Sequence, residues 1–239
     1  MMELIKEHWL KQDYTSLQNE IKLYAKSEND RKWAKKIANT NYEMLAVSTI
    51  KLNDFAKQIV KGNYLEFLSV VAYDYREDVV LTSKVIGLIK NFNHQRDAIL
   101  KFLPHIDSWE GTDAIRFKIT AKNNEKYFQF AKELLNSKLA FGRRLGVCIL
   151  MKLIQFEEYV DEIFSLVVLN ANEQEYYVNM CYAWLLCEGF IHFREKTMSL
   201  LKTKSINPFV LHKAISKCRD SFRIAKDDKK ILKNLIKID

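Results

Sequence analysis

Glycine and proline are scarce in this sequence. A chain of 239 residues at average usage would hold roughly 17 glycines and about 12 prolines, whereas this one holds 6 and 2. The shortage excludes folds built from many tight turns: β-sandwiches, propellers and barrels need Gly, Asn and Pro at their connections, and doubly wound α/β folds need Gly-rich βα turns. None of the four cysteines (Cys148, Cys181, Cys187, Cys218) forms a C-x-x-C pair, and all sit among apolar neighbours, so they read as reduced, buried, small hydrophobes. Five scattered histidines give no metal spacing, His192 and His212 reading as cap or surface residues, and neither a metal nor a cofactor is expected. No run of about 18 apolar residues is present; the richest are Phe164 to Leu169 and Tyr182 to Cys187. Glu3, Lys6, Glu7 and His8 interrupt the apolar spacing of Met1 to Leu10, which is unlike a signal-peptide hydrophobic region, and a cytoplasmic protein without membrane contact is expected. A nucleotide-binding Gly loop, a G-x-S-x-G elbow and a spaced Cys-His pair are all missing, which disfavours ordinary kinase, hydrolase and dehydrogenase chemistry.

What remains is a chain that can bury a core, with 48% hydrophobic and 28% charged residues. Its 38 Lys and Arg against 30 Asp and Glu give a net charge of +8 and a pI near 9.1, a balance that favours a polyanionic partner or serves solubility. Apolar residues recur at helical spacing: Leu52, Phe55, Ala56, Ile59, Val60; Val79, Val80, Ser83, Ile86, Gly87; Val160, Ile163, Phe164, Val167, Val168; Tyr176, Met180, Ala183, Trp184, Cys187; and Leu211, Ala214, Ile215, Cys218. Start signals stand at Ser48-Thr49, at Asn172-Glu173 before the Tyr176 helix, and at Asn207-Pro208. The stripes and breaks predict about a dozen helices on short connections, which forces sequential helices to pack antiparallel. The paired stripes recur at roughly 35 to 45 residues, the range of HEAT-type repeats. An all-α solenoid of helix pairs with a concave binding face, forming a single domain over 1–239, is the expectation.

One segment departs from this plain pattern, Ile106-Asp107-Ser108-Trp109-Glu110-Gly111-Thr112-Asp113. Asp107 and Glu110 have capping-box spacing, so a helix should start there, with Asp107 or Ser108 accepting from the first backbone amides. Trp109 and Asp113 are then i and i+4, presenting an indole and a carboxylate side by side. A helix N-terminus would favour an ionised Asp113 able to stabilise developing positive charge. On spacing alone, Trp109 as a core anchor and Asp113 as a solvated first-turn acid is the default. Arg143 and Arg144 lie near another helix start, where backbone amides add to the attraction for anions. Lys213, Lys217, Arg219 and Arg223 form a second basic run, Lys213 and Lys217 sharing one face and able to meet successive phosphates; each cluster could equally be a solvated surface. Tyr177, Tyr182 and Trp184 cannot share one helix face, so at least one should point away from the core and be able to stack.

Together these segments resemble the DNA alkylation repair family of HEAT-like alkylpurine DNA glycosylases, the AlkD-like proteins. The resemblance runs from Trp33-Ala34-Lys35-Lys36 through Tyr42-Glu43-Met44-Leu45, then Ile106 to Asp113, Arg143-Arg144 to Lys152, Tyr176 to Glu188, and Leu211 to Ser221. It implies a concave basic groove holding duplex DNA, with Trp109, Asp113 and Trp184 at the lesion and Arg144 as the cleft arginine. It further implies hydrolytic removal of cationic N-alkylated purines, such as 7-methylguanine and 3-methyladenine, with the lesion left within the duplex. Arg143, Arg144, Lys213, Lys217 and Arg219 would be the backbone anchors of a monofunctional, monomeric enzyme. Two departures stand out: Asn179 replaces a lysine common just before the methionine of the Tyr-Tyr-Val segment, and Ala46 to Ile50 lacks the family's Gly and Pro. The alternatives are a non-catalytic HEAT-like protein that binds bent, branched or damaged duplex, and a solenoid whose basic face binds an acidic protein.

Overall fold

The computed structural model describes residues 3–235. Among these residues there is no strand, only an isolated bridge between Glu43 and Tyr75. The chain divides into two compact units, Met1–Phe117 and Lys118–Asp239. Unit 1 contains α1 (Lys11–Lys22), α2 (Glu28–Ala38), α3 (Thr49–Ile59), α4 (Tyr64–Val70), α5 (Arg76–Leu88), α6 (Phe92–Phe102) and α7 (Trp109–Asp113), with a 3-10 turn over Leu103–His105. Unit 2 contains α8 (Asn124–Leu135), α9 (Ala140–Leu153), α10 (Glu157–Leu169), α11 (Tyr176–His192), α12 (Arg194–Thr203), α13 (Pro208–Asp220) and α14 (Lys226–Leu235). The expected dozen becomes fourteen described α-helices packed in pairs, an all-α fold of HEAT-like repeats. No described helix is long and apolar enough to cross a membrane.

In unit 1, α5 is the central helix and packs against α3, α6 and α7. Its apolar stripe predicts an amphipathic helix, but it is buried almost all round, with Arg76, Glu77, Asp78, Thr82 and Ser83 inside as well. Buried polar groups are usually hydrogen-bonded, and most of these are. The Glu77 carboxylate accepts from the amides of Leu45 and Val47, both at 3.1 Å. Asp78 accepts from Tyr14 Oη at 2.6 Å and Gln18 Nε2 at 3.0 Å. Ser83 Oγ donates to Val79 and Gly111 carbonyls at 2.9 and 2.7 Å. In unit 2, α9, α11 and α13 pack in succession, with α8, α12 and α14 against them.

Two of the three start signals operate as read. Ser48 Oγ accepts from Lys51 N at 3.3 Å, and Asn207 Oδ1 accepts from Phe209 N at 2.9 Å with Pro208 as the first helical residue. The third is corrected: α11 starts at Tyr176 after Glu175, without a side-chain cap. The Glu173 carboxylate is instead bound to Arg143 and to the amides of Gln174 and Glu175.

Candidate functional site

A helix does begin after Ser108, but it is one turn long and its capping box does not form. Ser108 is buried and makes no side-chain cap. The Asp107 carboxylate takes the Thr40 hydroxyl at 2.8 and 2.9 Å and the Asn41 amide at 2.6 Å. Glu110 is engaged by Arg76 of α5 in a two-pronged pair, Nε to Oε2 at 2.8 Å and Nη2 to Oε1. Both candidate capping acids therefore serve as tertiary ties that fasten α7. Close approach fastens it further, because a Cβ at Gly111 would come within 2.7 Å of the Ile106 side chain. Asp113 is the last residue of α7, so the helix-start position expected from the sequence is corrected: Asp113 does not stand there.

Trp109 and Asp113, both half-buried, do share one pocket. Its volume is about 260 Å³, and Thr49, Arg76, Lys84, Glu110 and Arg116 also line it. The Thr112 hydroxyl, at 2.9 Å from the Trp109 carbonyl and 3.2 Å from Asp113 Oδ1, shares its one proton between them. Trp109 Nε1 reaches the Ile37 carbonyl at 3.4 Å. A second, mainly apolar pocket of about 270 Å³, lined by Trp33, Ile37, Met44 and Ala46 among others, also touches Trp109, Arg76 and Glu110. Burial, followed by repulsion from Arg116 and Arg76, holds the Lys84 ammonium below the usual lysine range. A larger cavity, about 510 Å³, lies between α4 and α6 over Thr82 and Ile86; it contains neither Trp109 nor Asp113.

In unit 2, Arg143 is bound to Glu173, with Nε to Oε2 at 2.6 Å and Nη2 to Oε1 at 3.1 Å, and its Nη1 donates to the Ser137 carbonyl at 3.0 Å. Burial pushes the Glu173 carboxyl up, but Arg143 and the neighbouring amides outweigh it and hold the group below its ordinary value. Arg144 is only 4% exposed, and its Nη1 donates to the Tyr177 carbonyl at 2.6 Å. Arg143 and Arg144 are the fourth and fifth residues of α9, which begins at Ala140, at the end of its first turn. Of Tyr177, Tyr182 and Trp184, Tyr182 is buried, Tyr177 is half-buried and Trp184 is exposed, so Trp184 turns outward, as does Tyr176 at the start of the helix. Lys217 Nζ lies 5.4 Å from the centre of the Trp184 ring, and Lys213 Nζ lies 5.5 Å from that of Phe209, distances at which ammonium and ring attract. Arg219 is exposed; two residues beyond Lys217, it falls on another side of α13. Arg223 is paired with Glu188. Asn179 is buried: its Nδ2 donates to the Glu173 carbonyl at 2.9 Å, and its Oδ1 has no hydrogen-bond partner.

The residues missed in the sequence are Arg76, Lys84 and Arg116, together with the tertiary role of Glu110. A signal for the first existed: Arg76-Glu77-Asp78 places three charges directly before the apolar run Val79-Val80-Leu81, an arrangement that demands partners once that run is buried.

The class of protein is set by the fold, an all-α array of HEAT-like helix pairs with a tryptophan and a carboxylate on a shared pocket. The model of the family described as DNA alkylation repair enzyme matches residues 17–218, and the chain belongs to that family. Membership places it among DNA repair enzymes, with DNA as its binding partner. A comparison with curated proteins gives no match.

Proposed function

We propose that this protein is a monofunctional DNA glycosylase that hydrolyses the N-glycosidic bond of positively charged N-alkylated purines, of the 7-methylguanine and 3-methyladenine type, in duplex DNA. The observation that carries the reading is the shared pocket of Trp109 and Asp113 in a chain of the DNA alkylation repair family. A cationic purine is already a good leaving group, so strong protonation is not required. The remaining barrier is positive charge developing on the sugar as the bond stretches. A fixed Asp113 carboxylate stabilises that oxocarbenium-like centre and orients the attacking water, while the face of Trp109 contacts the cationic nucleoside; the outward Trp184 supplies an aromatic contact to the DNA.

Lys213, Lys217 and Arg219 hold the duplex backbone in this reading. Arg143 and Arg144 join them, oriented by Glu173 and by the Tyr177 carbonyl. Residues 1–239 act as one repair domain, as a monomer and without a cofactor.

The test is to incubate the protein with a duplex containing 7-methylguanine and to follow free base by chromatography. Release by the wild type is expected, with Asp113→Asn slowed on the order of 100-fold or more while duplex binding is largely retained. Full release by Asp113→Asn would overturn the role given to that carboxylate. Salt-sensitive duplex binding without any release would select a non-catalytic reader of damaged or bent DNA instead.

A further inference from the structure

Lys84 and Arg116 stand together in the Asp113 pocket. Lys84 is half-buried on α5 and Arg116 is exposed; both line the pocket with Asp113. Their approach is built into the backbone. One helical turn beyond Lys84, a Cβ at Gly87 would come within 2.5 Å of the Arg116 amide nitrogen, so the segment after α7 lies directly on α5. The third cation of the pocket, Arg76, is held by Glu110 and Glu77. Neither the Lys84 ammonium nor the Arg116 guanidinium has an ion pair or hydrogen bond to a described residue. Like charges held side by side destabilise the empty pocket and favour an arriving anion.

The neighbouring Asp113 carboxylate disfavours multiply charged anions most. A phosphodiester carries one charge, spread over two non-bridging oxygens, and comes attached to a sugar. Arg and Lys suit its non-bridging oxygens, Arg as a fork and Lys as a point charge. We infer that Lys84 and Arg116 form a clamp for one phosphodiester of the duplex backbone, holding the attached deoxyribose against Asp113. The inference rests on the proposed glycosylase reading for its register, but not for the binding event itself.

Two measurements test it. First, the salt dependence of binding to an undamaged fluorescent duplex is compared for wild type, Lys84→Gln, Arg116→Gln and the double variant, with circular dichroism confirming the fold. The double variant is expected to lower the log–log salt slope by about one, so that between 50 and 200 mM salt it loses roughly threefold less affinity than wild type. Lys84→Arg is expected to keep the wild-type slope. Second, in a duplex with one 7-methylguanine, neutral methylphosphonate linkages are placed one at a time around the lesion. At one position the neutral linkage should weaken wild-type binding and leave the double variant unaffected.

An unchanged slope in the double variant, or an equal effect of every methylphosphonate on both proteins, overturns the clamp. A ³¹P NMR titration with inorganic phosphate separates the sources: saturable binding that the double variant loses, with duplex slopes unchanged, would mark a free-phosphate site and overturn the backbone assignment. The slope is read without any base release, so failure of the clamp and failure of the glycosylase reading are separate results.

Discussion

Ala46 holds a left-handed backbone, with φ of 57°, a conformation that costs an L-residue about 1–2 kcal/mol. It is kept there because the flanking amides of Leu45 and Val47 both point at the buried Glu77 carboxylate. The family resemblance leads one to expect Gly in this stretch; the turn is present although the glycine is not. Ala46→Gly should relieve the strain while adding unfolded-state freedom worth about 0.4–1 kcal/mol. The expected outcome is a net gain of roughly 0.5 kcal/mol in urea unfolding, and a loss of stability would refute the strain account. Asn179 shows a different kind of difference: a lysine there would have to carry its charge into a site where the present amide is bonded to the Glu173 carbonyl. That the position is buried could not be read from an apolar stripe, because α11 is buried around most of its circumference.

At the scale of elements, α7 is too short to be stable by itself and is held by what surrounds it. The helix start after Ser108 was legible in the sequence, and so was the neighbourhood of Trp109 and Asp113. The means of attachment was not, because Asp107 and Glu110 take partners 67 and 34 residues away, and local spacing alone reads them as caps. Arg76 and Glu110 are both largely buried, with side-chain exposures of 8% and 17%; removing one partner strands the other charge. Glu110→Gln should therefore cost roughly 3 kcal/mol in chemical denaturation. Arg76→Lys should keep the charge yet fail to restore the two-pronged bond. If Glu110→Gln melts like wild type, the pair is not what fastens α7.

For the whole molecule, the scarcity of turn-forming residues was enough to define a helical fold, since little else accommodates so few glycines. The number of helices was less legible: α4 and α7, short and flanked by irregular segments, leave almost no periodicity. Stability also has a pH signature at this scale. Burial pushes the Asp78 carboxyl up to about 6 despite its hydrogen bonds to Tyr14, Gln18 and backbone amides. The folded state then binds more protons than the unfolded chain between pH 4 and 6, so this group's contribution is present below that window and is lost as pH rises through it. The change is on the order of 2–3 kcal/mol. Asp78→Asn should flatten the stability profile across pH 4–6; a profile that keeps its wild-type slope would assign that dependence elsewhere.

All four cysteines are buried, and all four lie in Lys118–Asp239. The native thiols thus form a clock for one half of the chain. A maleimide or disulfide reagent reads the opening of unit 2 alone, because unit 1 contributes no sulfhydryl to the signal. A single cysteine introduced at exposed Phe222 would take a fluorophore first, leaving the four native groups to report unfolding afterwards.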